Sequence, residues 1–336
     1  MKRTFTFDDI ALVPQFNNVP SRTEPNLESW ITRKRKIQMP LIAANMESVI
    51  SEELADILLA RGSIPIFHRF TDFEEQKRWA AKYSGRHFIS CGLHYLDEAR
   101  ELLDIGAVGV CVDVAHGHSD RMLHFIQKIK KSHPECEVIA GNVCTPMAYH
   151  DLVNAGADAV KVGIGPGAAC TTRLITGFGV PQFSAVRECA AIAEKLRVPL
   201  IADGGIRGSR EVVLALAAGA SSVMVGKLFA LTTESAAPKR EAAANTGMFE
   251  AKYRGQASED FQNDFYGGLK EKTVSEGVDF WAPVSGSAGD LIDSLLGGLR
   301  SGLTYGGARN IKELQRKAEF VEVTATYGLE SKPRGT

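Results

Sequence analysis

The stretch "PLIADGGIRGSREVVLALAAGASSVMVGKL", residues 199–228, contains a pattern of strand, helix and second strand. Its two ends, 199–205 and 222–228, are short apolar runs that stop at glycine or just beyond it. Runs that are apolar throughout are typical of parallel strands buried on both faces. The segment 209–220 between them has a helical pattern and ends in Gly-Ala, where the glycine can adopt a left-handed C-cap. The stretch therefore predicts a β–α–β unit of an α/β fold.

The same pattern recurs towards the N-terminus. Six more apolar runs lie at 40–46, 63–68, 87–93, 108–114, 137–143 and 159–165. Helical patterns occupy 51–62, 95–107 and 145–157. Eight strands alternating with helices, at intervals of roughly 20–30 residues, predict a (β/α)8 TIM barrel. A doubly wound sheet is the alternative, and we disfavour it because eight similar units without an antiparallel hairpin close more naturally into a barrel.

One departure from this rhythm bears on domain organisation. The segment 231–284, after the eighth strand, is polar and has few helical signals. A loop of that length in a compact barrel is usually a lid or a disordered excursion. The amphipathic pattern at 289–307 then closes the barrel, and the segment 69–86 is too short to hold a second domain. We therefore expect one barrel domain over 1–336, with a flap at about 231–284.

Composition excludes several classes of partner. The 336 residues are 44% apolar and 24% charged, with a formal net charge of −1. Such a chain has no overall field that would recruit nucleic acid or an anionic membrane. The first residues, "MKRTFTFDDIALVP", lack the continuous apolar core of a signal peptide, and no apolar run is long enough to span a bilayer. The six cysteines include no C-x-x-C pair, so we expect reduced thiols and a cytoplasmic location.

Three consecutive glycine-bearing loops follow strands six to eight, at 163–167, 203–209 and 225–227. In TIM barrels the loops after strands seven and eight commonly bind phosphate through backbone N–H groups. Lys227 could add positive charge, whereas the Asp203 carboxylate, which only accepts hydrogen bonds, suits sugar hydroxyls. The loops thus predict a site for the ribose and 5′-phosphate of a nucleotide. The alternative is that the glycines only form tight turns.

One cysteine stands out because of its surroundings. Cys170 lies in "GIGPGAACTTR", residues 163–173, where glycines and threonines offer no apolar environment for a packing cysteine. A thiolate is favoured beside loop N–H groups, and cysteine is the strongest side-chain nucleophile near neutral pH. We therefore interpret Cys170 as a nucleophile, and Cys91 and Cys111, inside strand runs, as buried packing residues.

These loops, together with "FDDIALVP" at 7–14, resemble the inosine monophosphate dehydrogenase / guanosine monophosphate reductase barrels from about residue 5 to residue 325. The segment 163–186 is highly specific for that family. The resemblance implies a homotetramer, and covalent attack by Cys170 on purine C2, which is electrophilic between two ring nitrogens. It also implies a proton relay through Thr172 and Glu276, the latter on a mobile flap. The substrate-binding residues implied for GMP or IMP are Asn45, Met46, Gly167, Asp203, Gly204, Gly205, Gly226, Lys227, Tyr253, Gly255 and Gln256.

The resemblance further implies a nicotinamide cofactor across the barrel mouth, with NADPH preferred over NADH on the resemblance alone. The residues expected to contact it are His68, Arg69, Asp113, Ala115, His116, Gly117 and Asn142. A metal held by His116 and His118 is an alternative that we disfavour because no third ligand is evident, and we expect at least one of the two to cap a turn. A monovalent cation, K⁺, is expected on the backbone carbonyls of Gly165, Gly167 and Cys170.

Both enzymes of the family pass through the same C2 adduct, and the flap distinguishes them. The dehydrogenases hydrolyse the adduct with an adjacent Arg-Tyr pair, whose places are taken here by Asn263 and Asp264. No such pair occurs in 255–285, and "DVAHGHSD" (113–120) and "FHRF" (67–70) look like the short bacterial reductases. We therefore expect a GMP reductase that converts GMP and NADPH to IMP and ammonia. The alternatives are an IMP dehydrogenase without the regulatory CBS-type insertion, and a non-catalytic purine-nucleotide-binding barrel.

Three positions depart from the family pattern. Ala168 replaces a serine that contacts phosphate, Arg69 replaces a lysine, and Gln256 replaces a methionine. The loss of the serine removes one hydrogen bond of about 1 kcal/mol, and arginine is not an equivalent proton donor to lysine. These changes would permit the non-catalytic alternative or a related nucleotide. Retention of the cysteine, threonine and glutamate of the relay argues against a non-catalytic barrel.

Overall fold

The computed structural model describes residues 1–243 and 247–333. Three short strands come first: β1 (Ile10–Leu12), β2 (Ser29–Thr32) and β3 (Arg35–Ile37). The eight strands of the central sheet then follow along the chain. They are β4 (Leu41–Ala43), β5 (Ile66–Phe67), β6 (Phe88–Cys91), β7 (Gly109–Asp113), β8 (Glu137–Val143), β9 (Ala159–Val162), β10 (Leu200–Asp203) and β11 (Ser222–Val225).

The order of these strands makes the sheet a barrel. From β5 to β11 each strand pairs in parallel with the next along the chain, and β11 pairs in parallel with β4. At the remaining gap, between β4 and β5, the Ser63 hydroxyl donates a hydrogen bond of 2.7 Å to the Leu41 carbonyl. A doubly wound sheet would reverse its strand order at a switch point. The predicted TIM barrel is therefore confirmed, and each predicted run contains one barrel strand.

Helices cover the outside of the barrel, and several begin at a residue whose side chain caps them. Ser51 and Thr145 accept backbone N–H groups at the starts of α1 and α5, and Gly156 ends α5 with φ +119°, as the Gly-Ala pattern predicts. The helices before the flap are α1 (Glu52–Ala60), α2 (Phe73–Lys82), α3 (Leu96–Ile105), α4 (Asp120–Ser132), α5 (Pro146–Ala155), α6 (Thr172–Thr176), α7 (Gln182–Leu196), α8 (Ser209–Ala217) and α9 (Lys227–Ala230).

The flap is more regular than its polar sequence indicates. It contains an antiparallel sheet of β12 (Lys239–Glu241), β13 (Phe249–Arg254) and β14 (Asp279–Pro283), together with the helix α10 (Glu259–Tyr266). The segment expected to be poor in helix thus contains, among its described residues, one helix of eight residues, α10. The helix docks through the buried Phe261, whose ring lies 4.7 Å from that of Phe70. The chain continues through α11 (Ala288–Tyr305), α12 (Ile311–Lys317), β15 (Phe320–Glu322), which pairs with β1, and α13 (Tyr327–Glu330).

Gly109, in the barrel wall, tests the register in which β7 pairs with β8 through Gly109 and Glu137. A Cβ added to Gly109 on β7 would lie 2.0 Å from the carbonyl oxygen of Glu137, which is backbone and cannot rotate away. We expect Gly109→Ala to lower the free energy of unfolding by about 3 kcal/mol or more. Gly297, exposed in α11 with no atom within 4 Å of its added Cβ, is the matched control, and alanine there should stabilise by up to about 1 kcal/mol. The measurement is the thermal midpoint of each variant by circular dichroism. Equal midpoints for Gly109→Ala and Gly297→Ala would contradict the pairing of Gly109 with Glu137.

Candidate active site

The carboxyl ends of the barrel strands open into a cavity of about 580 Å³. All three residues expected in catalysis and all eleven expected at the substrate line it. Of the residues expected at the cofactor, Asp113, Ala115 and Asn142 line it as well. The barrel therefore brings most of the predicted site together at the end where TIM barrels carry their chemistry. Lining residues to which the sequence analysis gave no role include Thr6, Phe7, Asp8, Lys161, Arg173, Gln182, Ile206 and Arg207.

Cys170 begins a chain of hydrogen bonds that ends on the flap. Its thiol donates to Thr172 Oγ1 at 3.3 Å, and Thr172 Oγ1 donates to Glu276 Oε2 at 2.8 Å. Glu276 is 104 residues away from Thr172 in sequence, so only a closed flap makes this contact. The arrangement allows a thiol proton to pass through the hydroxyl to the carboxylate.

Backbone contacts hold the flap on the catalytic loop. The Thr171 N–H donates to the Glu276 carbonyl at 2.9 Å, and the Val278 N–H donates to the Ala169 carbonyl at 3.0 Å. Gly255 approaches the same loop so closely that an added Cβ would lie 2.8 Å from the Ala169 carbonyl oxygen. A side chain at that position would hold the flap away from Cys170.

The glycines after β10 and β11 shape the opposite wall of the cavity. Gly204 has φ +95°, and a Cβ there would lie 2.8 Å from Pro166 in the neighbouring loop. A Cβ on Gly226 would lie 2.7 Å from the hydroxyl of Tyr253, a buried flap residue that donates to Met46 Sδ at 3.6 Å. Glycine at these two positions therefore lets the neighbouring loop and the flap pack directly against the backbone of this wall.

A buried lysine lies at the floor of the cavity. Lys161 on β9 is 2% exposed, and its ammonium donates to Asp113 Oδ1 at 2.7 Å, Asp203 Oδ2 at 3.2 Å and Asn45 Oδ1 at 3.4 Å. Burial alone would lower the pKa of Lys161, but the carboxylates of Asp113 and Asp203 outweigh it and raise the pKa, so the group stays charged. A charged residue inside an apolar strand run was the signal that could have revealed it.

In the side-chain amide of Asn142, at the end of β8, the nitrogen makes hydrogen bonds and the oxygen makes none among the described residues. Its Nδ2 donates to Asp203 Oδ2 at 2.9 Å and to the Gly163 carbonyl at 2.8 Å. Its Oδ1 is buried without a hydrogen-bond partner among the described residues. Because the amide is fixed through its nitrogen, the oxygen remains an acceptor for a ligand in the cavity.

The other residues expected at the cofactor lie outside this cavity. His68 is buried and its Nδ1 accepts the Phe70 N–H at 3.1 Å. Arg69 lines a second cavity of about 200 Å³, and its guanidinium donates to the Tyr266 hydroxyl on α10 at 3.4 Å. These two positions follow β5, where the chain turns away from the main cavity.

The two histidines in the loop after β7 lie in different surroundings. His116 is exposed, whereas His118 Nε2 is 2.9 Å from the Asp151 carboxylate on α5. The Gly117 N–H donates to the Asn142 carbonyl at 2.7 Å, which fixes the loop beside β8. Among residues 1–243 and 247–333, no group of three or more His, Cys, Asp or Glu side chains is arranged to hold a metal ion.

The family model described as "IMP dehydrogenase / GMP reductase domain" matches residues 4–334. The chain belongs to this family. That result accounts for the barrel, the cysteine loop and the flap together. The two enzymes that name the family are oxidoreductases of purine metabolism.

Relatives in the IMP dehydrogenase / GMP reductase family carry both names. Inosine-5′-monophosphate dehydrogenase of Aquifex aeolicus is 48% identical over 242 residues, which cover 70% of this chain and 49% of that enzyme. The chain thus spans about half the length of this relative. The Nitrosopumilus maritimus enzyme of the same name is 30% identical, with 99% and 98% of the two chains covered. A solved structure of GMP reductase C318A from Trypanosoma brucei with guanosine 5′-monophosphate has a TM-score of 0.93 and 26% identity, and covers 100% of this chain and 98% of that one.

In the part of this family member that the structure describes, no helix has the length and apolar character needed to cross a membrane. Its buried thiols behave as expected from the strand runs. Burial raises the pKa of Cys111 to about 12 and that of Cys91 well above its ordinary value, so neither is a ready nucleophile.

His68 should make the stability of this family member depend on pH. Burial lowers its pKa from 6.5 to about 4, a shift that Glu75 only partly opposes. Between these two values the unfolded chain binds a proton that the folded chain does not, so stability falls as the pH falls from 6.5 towards 4. The contribution is at most about 3 kcal/mol. We expect His68→Asn, whose amide can still accept the Phe70 N–H, to flatten the pH dependence of the thermal midpoint, and His116→Asn to leave it unchanged. An unchanged slope in the His68 variant would contradict this assignment.

Proposed function

We propose that the protein is a GMP reductase, which converts GMP and NADPH to IMP, ammonia and NADP⁺ through a covalent bond between Cys170 and purine C2. The observation that carries the proposal is the chain of hydrogen bonds from the Cys170 thiol through Thr172 to Glu276. It supplies a proton path to a leaving amino group, and the flap bearing it has no adjacent Arg-Tyr pair in 255–285.

The first half of the proposed reaction uses this path. The thiol proton passes through the Thr172 hydroxyl to the Glu276 carboxylate, and the Cys170 sulfur forms a bond to C2. The C2 amino group then takes the proton back along the same path, so the C–N bond breaks with release of ammonia. The carbon remains bonded to sulfur, and Glu276 returns to its ionised form.

The second half needs a reductant. NADPH, when bound, supplies a hydride to C2. The chain's own part would be to hold the cofactor beside the adduct, and the position of Asp113, Ala115 and Asn142 in the lining of the cavity supports this role. The unpartnered, buried Asn142 Oδ1 fits a donor such as a carboxamide N–H or a ribose hydroxyl. When the C2–S bond breaks, Cys170 leaves as a thiolate and IMP is released.

IMP dehydrogenase is the second candidate, and the names of the relatives favour it. That reaction requires water to be activated at the adduct. At the places of the Arg-Tyr pair the chain has Asn263 and Asp264, and Asp264 is bound to the buried Arg254 at 2.5 Å. Arg254 is also paired with Glu47 and Asp260, so it is not free to activate water. This is why we place the reductase first.

A direct assay distinguishes the two. We expect the protein to oxidise NADPH in the presence of GMP, with one ammonia released for each IMP formed, and not to reduce NAD⁺ in the presence of IMP. IMP-dependent reduction of NAD⁺ without GMP-dependent oxidation would establish the dehydrogenase instead. Binding of GMP without either turnover would support the non-catalytic barrel.

Finer properties stay predictions that rest on the resemblance: NADPH over NADH, a homotetramer and a cytoplasmic location. K⁺ would be held by the carbonyls of Gly165, Gly167 and Cys170. The Gly167 carbonyl already accepts the Cys170 N–H at 3.1 Å, so an ion there would contact the same turn that holds the nucleophile. Initial rates in K⁺ and in Na⁺ at equal ionic strength test that site.

A further inference from the structure

The two carboxylates that face the cavity from β7 and β10 share one buried cation. Lys161 binds Asp113 through Oδ1 and Asp203 through Oδ2, and Asn142 donates to the same Oδ2. Both aspartates line the cavity, and their side chains keep 15% and 20% exposure, whereas that of Lys161 keeps 2%. Each carboxylate is thus held from below by an ammonium that is itself almost inaccessible from the cavity.

This arrangement determines what the carboxylates can do. An ionised carboxylate only accepts hydrogen bonds, which suits the paired hydroxyls of a ribose. Two carboxylates this close repel each other. A buried ammonium that binds both of them offsets this repulsion and fixes their orientation. The third ammonium contact, to Asn45 Oδ1 at 3.4 Å, links Lys161 to the loop after β4.

We propose that Lys161 is a positioning residue that aims Asp203 at the ribose hydroxyls of the purine nucleotide and Asp113 at the hydroxyls of a second ligand. The inference rests on the proposed function for the identity of that nucleotide. It assigns a role to a residue that makes no direct contact with the reacting carbon. Its consequence is that discrimination for ribose depends on a side chain beneath the site.

The test compares GMP with 2′,3′-dideoxy-GMP in binary complexes by isothermal titration calorimetry. We expect the wild type to prefer GMP by about 10- to 100-fold, as hydrogen bonds to a charged group give. In Lys161→Met the preference should fall to about 3-fold or less, and in Lys161→Arg, which keeps the charge, most of it should remain. A loss of packing alone would weaken both nucleotides equally and leave the ratio unchanged.

A second variant covers the case in which Lys161→Met does not fold because two carboxylates are left unpaired. The double variant Lys161→Met/Asp113→Asn removes one positive and one negative charge, so the local net charge is preserved. It should lose the preference for GMP, whereas its matched control Asp113→Asn keeps the contact between Lys161 and Asp203 and should retain it. A retained preference in Lys161→Met or in Lys161→Met/Asp113→Asn overturns this inference and leaves the proposed function standing. A wild type that binds neither nucleotide overturns both.

Discussion

Replacing Cys170 with serine should reduce GMP-dependent oxidation of NADPH by about 10⁴-fold or more. The hydroxyl can keep the contact with Thr172, but an alcohol is far less acidic than a thiol and is a poor nucleophile at neutral pH. Because the substitution removes only the reacting atom, the dissociation constant for GMP should change by less than about 10-fold. The measurement is kcat from absorbance of the reduced cofactor, with GMP binding followed separately.

Cys144 provides the matched control for this experiment. It is the other partly exposed cysteine among the described residues, and burial raises its pKa. Cys144→Ser should therefore keep its activity. Mass spectrometry of protein denatured after incubation with GMP alone should find the purine nucleotide, less its amino group, on the peptide that contains Cys170. Turnover by Cys170→Ser at the wild-type rate, or an adduct on Cys144, would contradict the covalent mechanism.

The barrel could be predicted from the sequence because its signals are local and periodic. An apolar strand run that ends in glycine, such as 199–205, indicates by its composition alone that both faces of the strand are buried. The glycine loops were located for the same reason, since strand ends in a parallel barrel meet at one rim. Cys170 and Asp203 then fall in one cavity without any contact being known in advance.

The secondary structure inside the flap could not be predicted in this way, because tertiary contacts stabilise it. In α10 the ring of Phe261 packs against Phe70, about 190 positions earlier in the chain, and Arg254 in β13 is neutralised by Glu47. Neither contact can be inferred from the local amino-acid composition. Lys161 was missed because the apolar residues around it identify a buried strand. The strand pattern does not indicate which residues would pair with the lysine charge.

The residues after β5 show a limit of reasoning from strand ends. His68 directly follows β5, and Asp113 is the last residue of β7. Yet the His68 ring is packed beside Trp79 and Phe70, and Arg69 faces a second cavity. A strand end places a residue at the rim, but the loop that follows decides which way its side chain points. Backbone direction at such turns depends on neighbouring loops, which local sequence does not encode.

Replacing Glu276 with glutamine should lower kcat for GMP by about 10²- to 10⁴-fold, the usual contribution of a positioned proton donor. The amide can still accept the Thr172 hydroxyl, which is 2.8 Å from the carboxylate, so the flap should close as before. It cannot take up a proton from the thiol or deliver one to the amino group. The matched control is Glu271→Gln, an exposed residue of the same flap, which should keep its activity.

A substrate with a different leaving group separates proton delivery from flap closure. With 2-chloro-IMP in place of GMP, chloride leaves without a proton, so adduct formation by Glu276→Gln should lose at most about 10-fold, the remaining cost being removal of the thiol proton. Rapid-quench mass spectrometry gives the rate of adduct formation for each nucleotide. An equal loss with both would mean that Glu276 only holds the flap in place, because a structural role cannot depend on what departs from C2.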